Sequence, residues 1–433
     1  MTLKIRKKDI WSFLAVFLIF LYSFTKAGIQ QYVYPNILIL YFSLGYVMIS
    51  PFFFGGVPKT LLRNYTDILM LLCIAILLLN RNQNFANSEF EDGIAFVCIG
   101  VFFIFAKRSN NWHKFVVPVM SIWITIHTVV TILEYALPGF YMERIFPLMP
   151  EYAWQHLNAV FKSGYMPGLA VHYSTNGMYL AVSLIVVGIL LMTGMHQKRK
   201  FKIIALLLVA IALLLTGKRA LILFSVFALI ATYYVYNSNK PIGRNGKILL
   251  LVIGISIAFF IGSCFIPALS NFIVRFIETA AEGDITLGRF DQYRMAFALF
   301  GENPVVGIGW DAFKYIYADK FGSLLNVHNI FIQVLCENGV LGALPFFAFF
   351  IAMLYRAMSG LSLLRRKYTN LYATAEFFLG LSVAMQMFFL MYGLTGNPLY
   401  DAQVFYPYIV CITAGEYYLY WYKKEVMKYS VNC

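Results

Sequence analysis

Apolar runs of roughly 20 residues recur along this chain, and a helix needs about that many to cross a hydrocarbon core roughly 30 Å thick. They fall near Ile10 to Thr25, Val33 to Phe54, Leu62 to Leu79, Gly93 to Ala106, Phe115 to Leu137 and Asn176 to Met195. Others fall near Ile203 to Thr216, Ala220 to Tyr236, Ile248 to Phe265, Leu341 to Met358, Leu371 to Leu394 and Val404 to Tyr422. A chain of 433 residues so patterned has no room for a sizeable soluble domain. It is 61% hydrophobic and 12% charged, against about 25% charged in soluble domains. The expected fold is therefore all-α: one transmembrane domain over residues 1–433 with about twelve membrane helices. An aromatic content of 18% fits belts of rings at the two membrane interfaces.

Basic residues retained in cytoplasmic loops orient such a chain. One alternate set of connections holds the N-terminal lysines, Lys59 and Arg63, Lys107 with Arg108, Lys198 to Lys202, Lys240 with Lys247, Arg365 to Lys367, and Lys423 with Lys424. The opposite set carries most of the acids, among them Glu89, Glu91, Asp92, Glu143, Glu282, Asp284, Asp311 and Asp401. Both termini are thus expected in the cytoplasm. Two extracytoplasmic segments exceed a turn: residues 138–175, and residues 267–341 between the ninth and tenth spans, where short helices are predicted. The turn Gly217-Lys218-Arg219 breaks the charge rule, placing two cations outside after a run of only 14 residues from Ile203 to Thr216.

A net charge of +14 is compatible with nucleic-acid binding, but short basic loops between apolar spans account for it. Nucleic acid is not an expected partner. The six cysteines stand singly, without metal-ligand spacing, so no metal site is expected. Lys4 to Lys8 followed by Ile10 to Phe24 looks like a signal peptide without a small-residue cleavage site, and is read as a retained first helix.

Several residues suit chemistry on an anion. Arg289 is predicted in the first turn of a helix, where free N–H groups and the dipole favour a diphosphate. Arg294 has Asp291 three residues before it, a surface pair by spacing. Gly307 and Gly309 suggest a tight turn. His328 opens an amphipathic stretch ending at Gly339, and at neutral pH a histidine there can take a proton from a hydroxyl or serve as a helix cap. Inside the spans, His127 and Glu134 share a helix face, while Asp67, Glu376 and Glu416 lie in others. Polar glue between helices explains them more simply than a proton relay.

Thr216-Gly-Lys-Arg219, Gly288-Arg289, Asn303-Pro-Val-Val-Gly-Ile-Gly309, His328-Asn329 and Glu337-Asn-Gly-Val-Leu-Gly342, in this order and spacing, resemble the superfamily of O-antigen polymerases and O-antigen ligases. The resemblance covers roughly Thr216 to Phe350. It implies a membrane glycosyltransferase that takes a glycan from an undecaprenyl diphosphate carrier on the outer face of the cytoplasmic membrane, without a nucleotide sugar, cofactor or metal. It assigns Arg219, Arg289 and His328 as catalytic and Lys218, Arg294 and Asn329 as substrate-binding; Lys218 stands where the family usually has serine. The stretch Gly168-Leu-Ala-Val-His172-Tyr-Ser-Thr-Asn176 is similar to the family's other outer-loop segment, and no role is assigned to His172. Expected partners are the lipid-linked donor and acceptor glycans, membrane lipids and other polysaccharide assembly proteins. A polymerase is favoured over a ligase acting on an envelope acceptor. A lipid-linked oligosaccharide flippase, from a different class, would show charges along a path through the membrane and two related halves.

Overall fold

The computed structural model describes residues 7–55, 64–80, 87–109, 111–195, 199–240, 245–247, 289–367 and 373–431. These residues form helices and no β-strand. The main helices are α1 (Lys7–Thr25), α2 (Ile37–Gly55), α3 (Tyr65–Leu79), α4 (Asn87–Ala106), α5 (Val116–Ala136), α6 (Trp154–Lys162), α7 (Tyr173–Met192), α8 (Arg199–Leu215) and α9 (Arg219–Tyr236). They continue as α10 (Arg289–Glu302), α11 (Phe313–Phe321), α12 (Ile330–Lys367), α13 (Ala373–Gly393) and α14 (Ala402–Val431). Helices occupy eleven of the twelve expected apolar runs. The other, near Ile248 to Phe265, lies outside the described residues, as do residues 267–288 of the second outer segment.

Among the described residues, six helices are long and apolar enough to cross a membrane, and two apolar helices are shorter. Their flanks expose Phe42, Leu79, Phe201, Leu207, Leu223 and Ile351, more apolar surface than water tolerates on a monomer. Lipid is the solvent of this bundle. The most enclosed helices are α7 and α13, with α13 packed against α9, α12, α14 and α7.

One correction concerns α8. The helix starts at Arg199 rather than Ile203, so it has 17 residues instead of the expected 14, because Arg199, Lys200 and Lys202 continue it past the apolar run. Lys202 donates to the backbone carbonyls of Leu190 and Met195, tying this end of α8 to α7.

Of the acids singled out inside the spans, Asp67, Glu376 and Glu416 are paired with cations, as polar glue requires. Asp67 meets Lys107 and Arg108, Arg356 holds Glu416 through two bonds of 2.7 and 2.6 Å, and Arg365 bonds Glu376 at 2.9 Å. Glu134 accepts the Gly168 N–H at 2.7 Å, fastening the 138–172 segment to α5. That segment has its own small core of Tyr141, Phe146, Met149, Ala153 and Leu157.

Two motifs interlock near the start of α12. Ile308 and Gly309 N–H groups donate to the Cys336 and Glu337 carbonyls at 3.2 and 2.9 Å, while Val340 and Leu341 donate to Pro304 and Val305 at 2.9 and 3.1 Å. The backbones approach so closely that a Cβ on Gly307 would lie 2.3 Å from the Glu337 carbonyl oxygen, and one on Gly339 2.3 Å from Val305. Gly339 also has φ 59°, which kinks α12 there. Asn80 clips the joint from α3, its amide donating to the Glu337 carbonyl at 2.7 Å. Both glycines thus serve close backbone approach at positive φ.

Candidate active site

Stretches from four connections converge at one end of the bundle: Tyr165 with the start of α7, the α8–α9 turn, the start of α10 with the turn before α12, and the 394–401 loop after α13. Lys218 is the residue immediately before α9, and Arg219 is that helix's first residue. Gly217 takes φ 68° in the turn, where a Cβ would strike the Tyr165 ring at 2.3 Å. The Lys218 Nζ stands 4.4 Å from the centroid of the Tyr173 ring. Tyr173 is stacked with Tyr165 at 4.8 Å and with His172 at 4.3 Å, and His172 stacks in turn on His156 at 5.1 Å.

Arg289 opens α10, as its spacing predicted. Its Nη1 donates to the Thr395 carbonyl at 3.0 Å. His328 adopts φ 55°, a left-handed conformation seldom given to a residue with a Cβ. Its neighbour Asn329 makes that turn possible. The Asn329 Oδ1 accepts from the Phe331 and Ile332 N–H groups at 3.1 and 3.2 Å, capping α12. Its amide donates to the Leu394 carbonyl at 3.3 Å. The cap is thus Asn329, leaving the His328 ring for other work. Gln333 supports the same turn, accepting the Val327 N–H at 3.3 Å.

The electrostatics show that these groups share one space. Burial, then the Arg289 and Lys218 charges, push His328 down to about 4. Lys218 falls to about 8 through burial and then the Arg289 and Arg219 charges. His172 drops to about 4 through burial, with Lys218 and His156 adding to it. Among the described residues neither Lys218 nor Arg289 has a carboxylate partner. The result is a half-buried pocket of positive potential, with neutral histidines beside it and two helix N-termini adding to the field.

Behind the 394–401 loop, Tyr392 donates to Asp401 Oδ2 at 3.1 Å, and burial raises Asp401 to about 7. The Arg289 charge reaches Tyr392. Of the residues singled out in the sequence, Lys218, Arg289 and His328 come together, Arg219 follows Lys218 at the start of α9, and Asn329 braces the His328 turn. Arg294 is exposed, its guanidinium 5.6 Å from the Phe290 ring centroid, outside the cluster. His172, Tyr173, Tyr165, Thr395, Tyr392 and Asp401 were missed. The similarity of the 168–176 stretch to a loop segment pointed at His172, and Asp401 is a carboxylate directly before an apolar run.

A protein-family model described as O-antigen ligase matches residues 203–347, about a third of the chain. The match contains the α8–α9 turn, Arg289, His328 and both halves of the interlocked joint, and bears out the resemblance drawn from these motifs. None of the curated proteins compared with the chain matches it.

Proposed function

We propose that this membrane protein is a glycosyltransferase that joins undecaprenyl-diphosphate-linked oligosaccharide repeat units into a surface polysaccharide on the outer face of the cytoplasmic membrane. The observation that carries the reading is the convergence of Lys218 and Arg289 on His328, with Arg219 next to Lys218 at the start of α9, inside the family-matched segment. Three cations suit a diphosphate. As the acceptor hydroxyl oxygen bonds to the anomeric carbon, the bond from that carbon to the lipid diphosphate breaks, and the diphosphate leaves with the electron pair. The guanidinium and ammonium groups stabilise that departing charge. The hydroxyl proton passes to the neutral His328 ring, whose basicity rises once the bound diphosphate offsets the cations that depress it. Both orientations follow from the same reading: segments 138–175 and 267–341 lie outside, and the termini inside.

The family description favours a second acceptor, an envelope molecule in place of another lipid-linked repeat unit. In vitro glycan extension distinguishes the two. Purified protein in lipid, given undecaprenyl diphosphate repeat units, should produce a ladder of longer lipid-linked glycans. His328→Ala should slow it about 10²–10⁴-fold, the range for a lost general base, and Arg289→Ala about 10²–10³-fold, the range for a lost stabilising donor. Transfer confined to an added envelope acceptor would assign the ligase reaction, and full activity of both variants would overturn the site.

A further inference from the structure

A second, chemically opposite site lies across the 394–401 loop from the cation pocket. We infer that the half-open cavity lined by Tyr22, Asp92, Trp310, Tyr400 and Tyr406 is a sugar subsite that holds the acceptor glycan by hydroxyl groups remote from the reacting one. This rests on the glycosyltransferase reading and adds to it where the acceptor binds.

Three independent features mark the cavity. The first is its lining. Tyr22 and Tyr406 lie with ring centroids 5.0 Å apart, Trp310 stacks on Tyr400 at 4.7 Å, and Asp92 stands at the mouth. Aromatic faces with a carboxylate suit the C–H faces and O–H groups of a sugar.

The second is unmet polarity. The Tyr406 hydroxyl has no partner among the described residues although Tyr406 is 3% exposed, and the same holds for Oδ1 of Asp311, also 3% exposed, next to Trp310. Buried polar atoms in this condition want a ligand or water. Asp311 is moreover held at φ 58°, a strained backbone for a non-glycine residue.

The third is charge. Lys26 meets Glu91 and Asp92, Lys314 meets Asp311 at 2.6 Å, and Tyr400 donates to Glu337, so four carboxyl groups face two ammonium groups. Among the described residues the cavity's lining holds no cation, so a diphosphate is drawn to the cation pocket instead. A glycan's hydroxyl groups find acceptors.

Size and position define what fits. The whole cavity holds about 20 Å³, room for a hydroxyl group but not for a sugar ring, so a bound glycan enters it with one hydroxyl and keeps its ring outside. Leu399, Tyr400 and Ala402 line the cavity, whereas Asp401 between them turns to Tyr392. Glu337 lies seven positions after Ile330, hence about 10 Å along α12 from the His328 turn. A glycan bound here therefore reaches His328 with a further sugar.

The test uses the full chain in lipid nanodiscs, with two probes titrated separately: inorganic diphosphate, and the lipid-free oligosaccharide released by mild acid from the lipid-linked repeat unit. Tyr406→Phe removes only the orphaned hydroxyl, and Ala95→Val narrows the cavity. Tyr406→Phe should weaken oligosaccharide binding about tenfold, the effect of one lost hydrogen bond. Ala95→Val, on the cavity wall, should weaken it by filling the space, and both should raise the KM for acceptor while diphosphate affinity stays constant. Unchanged oligosaccharide affinity in both variants, or no binding to wild type that still binds diphosphate and makes polymer, overturns the subsite alone. Loss of diphosphate binding and of transfer in wild type overturns the glycosyltransferase reading, and the subsite with it.

Discussion

Lys218 carries the pH dependence of the cation pocket. Burial and two guanidinium neighbours bring its ammonium down to about 8, so the empty site loses a positive charge as pH rises through that value. Donor capture should weaken there. In glycan extension assays kcat/KM, which reports the free enzyme, is expected to fall above pH 8, whereas kcat holds further because a bound diphosphate restores the proton. Lys218→Arg, with a charge that does not titrate in this range, should remove that alkaline limb. An unmoved limb would assign the titration elsewhere. His328 gives the opposite limb: held at about 4, it stays a neutral base throughout the neutral range. Its φ of 55° is strain that a glycine would avoid, and the Asn329 cap and the Gln333 bond to Val327 hold the turn in place.

At the scale of elements, the interlocked joint between residues 304–309 and 336–341 fixes where the His328 turn and the start of α12 stand. A methyl group at Gly307 or Gly339 meets backbone at 2.3 Å and positive φ at once. Gly307→Ala and Gly339→Ala are each expected to cost about 1–3 kcal/mol or more, read as a lowered thermal midpoint in detergent together with weaker glycan extension. Gly301→Ala, in α10 with nothing within 4 Å of the added Cβ, is expected to be neutral or slightly stabilising. Equal loss in all three would refute the joint as the sensitive feature. The sequence pattern made Gly307 and Gly309 legible as a tight turn and Gly339 as the end of a helical stretch. It did not show what they dock against, since the partner backbone lies some thirty residues away.

For the whole molecule, the positions of the membrane helices were readable because lipid demands long unbroken apolar runs. The α8 start was misplaced because its first turn is basic and only its later turns are apolar. Convergence of the site was harder to read: His172, Lys218, Arg289 with His328, and Asp401 come from four different connections, and no local pattern records how a bundle brings connections together. The motif order supplied what periodicity did not. Sidedness is open to a direct check. A cysteine at exposed Ser323, beside the His328 turn, should react with an impermeant maleimide on intact cells, while one at exposed Arg366 should react only after permeabilisation. The reverse pattern would invert the topology. On the proposed glycosyltransferase reading, the Thr395 carbonyl bonded to Arg289 gains a role in turnover. The spent carrier must leave after each transfer, and a backbone oxygen waiting at the same guanidinium would compete with it, so that the site would not become a trap for its own product.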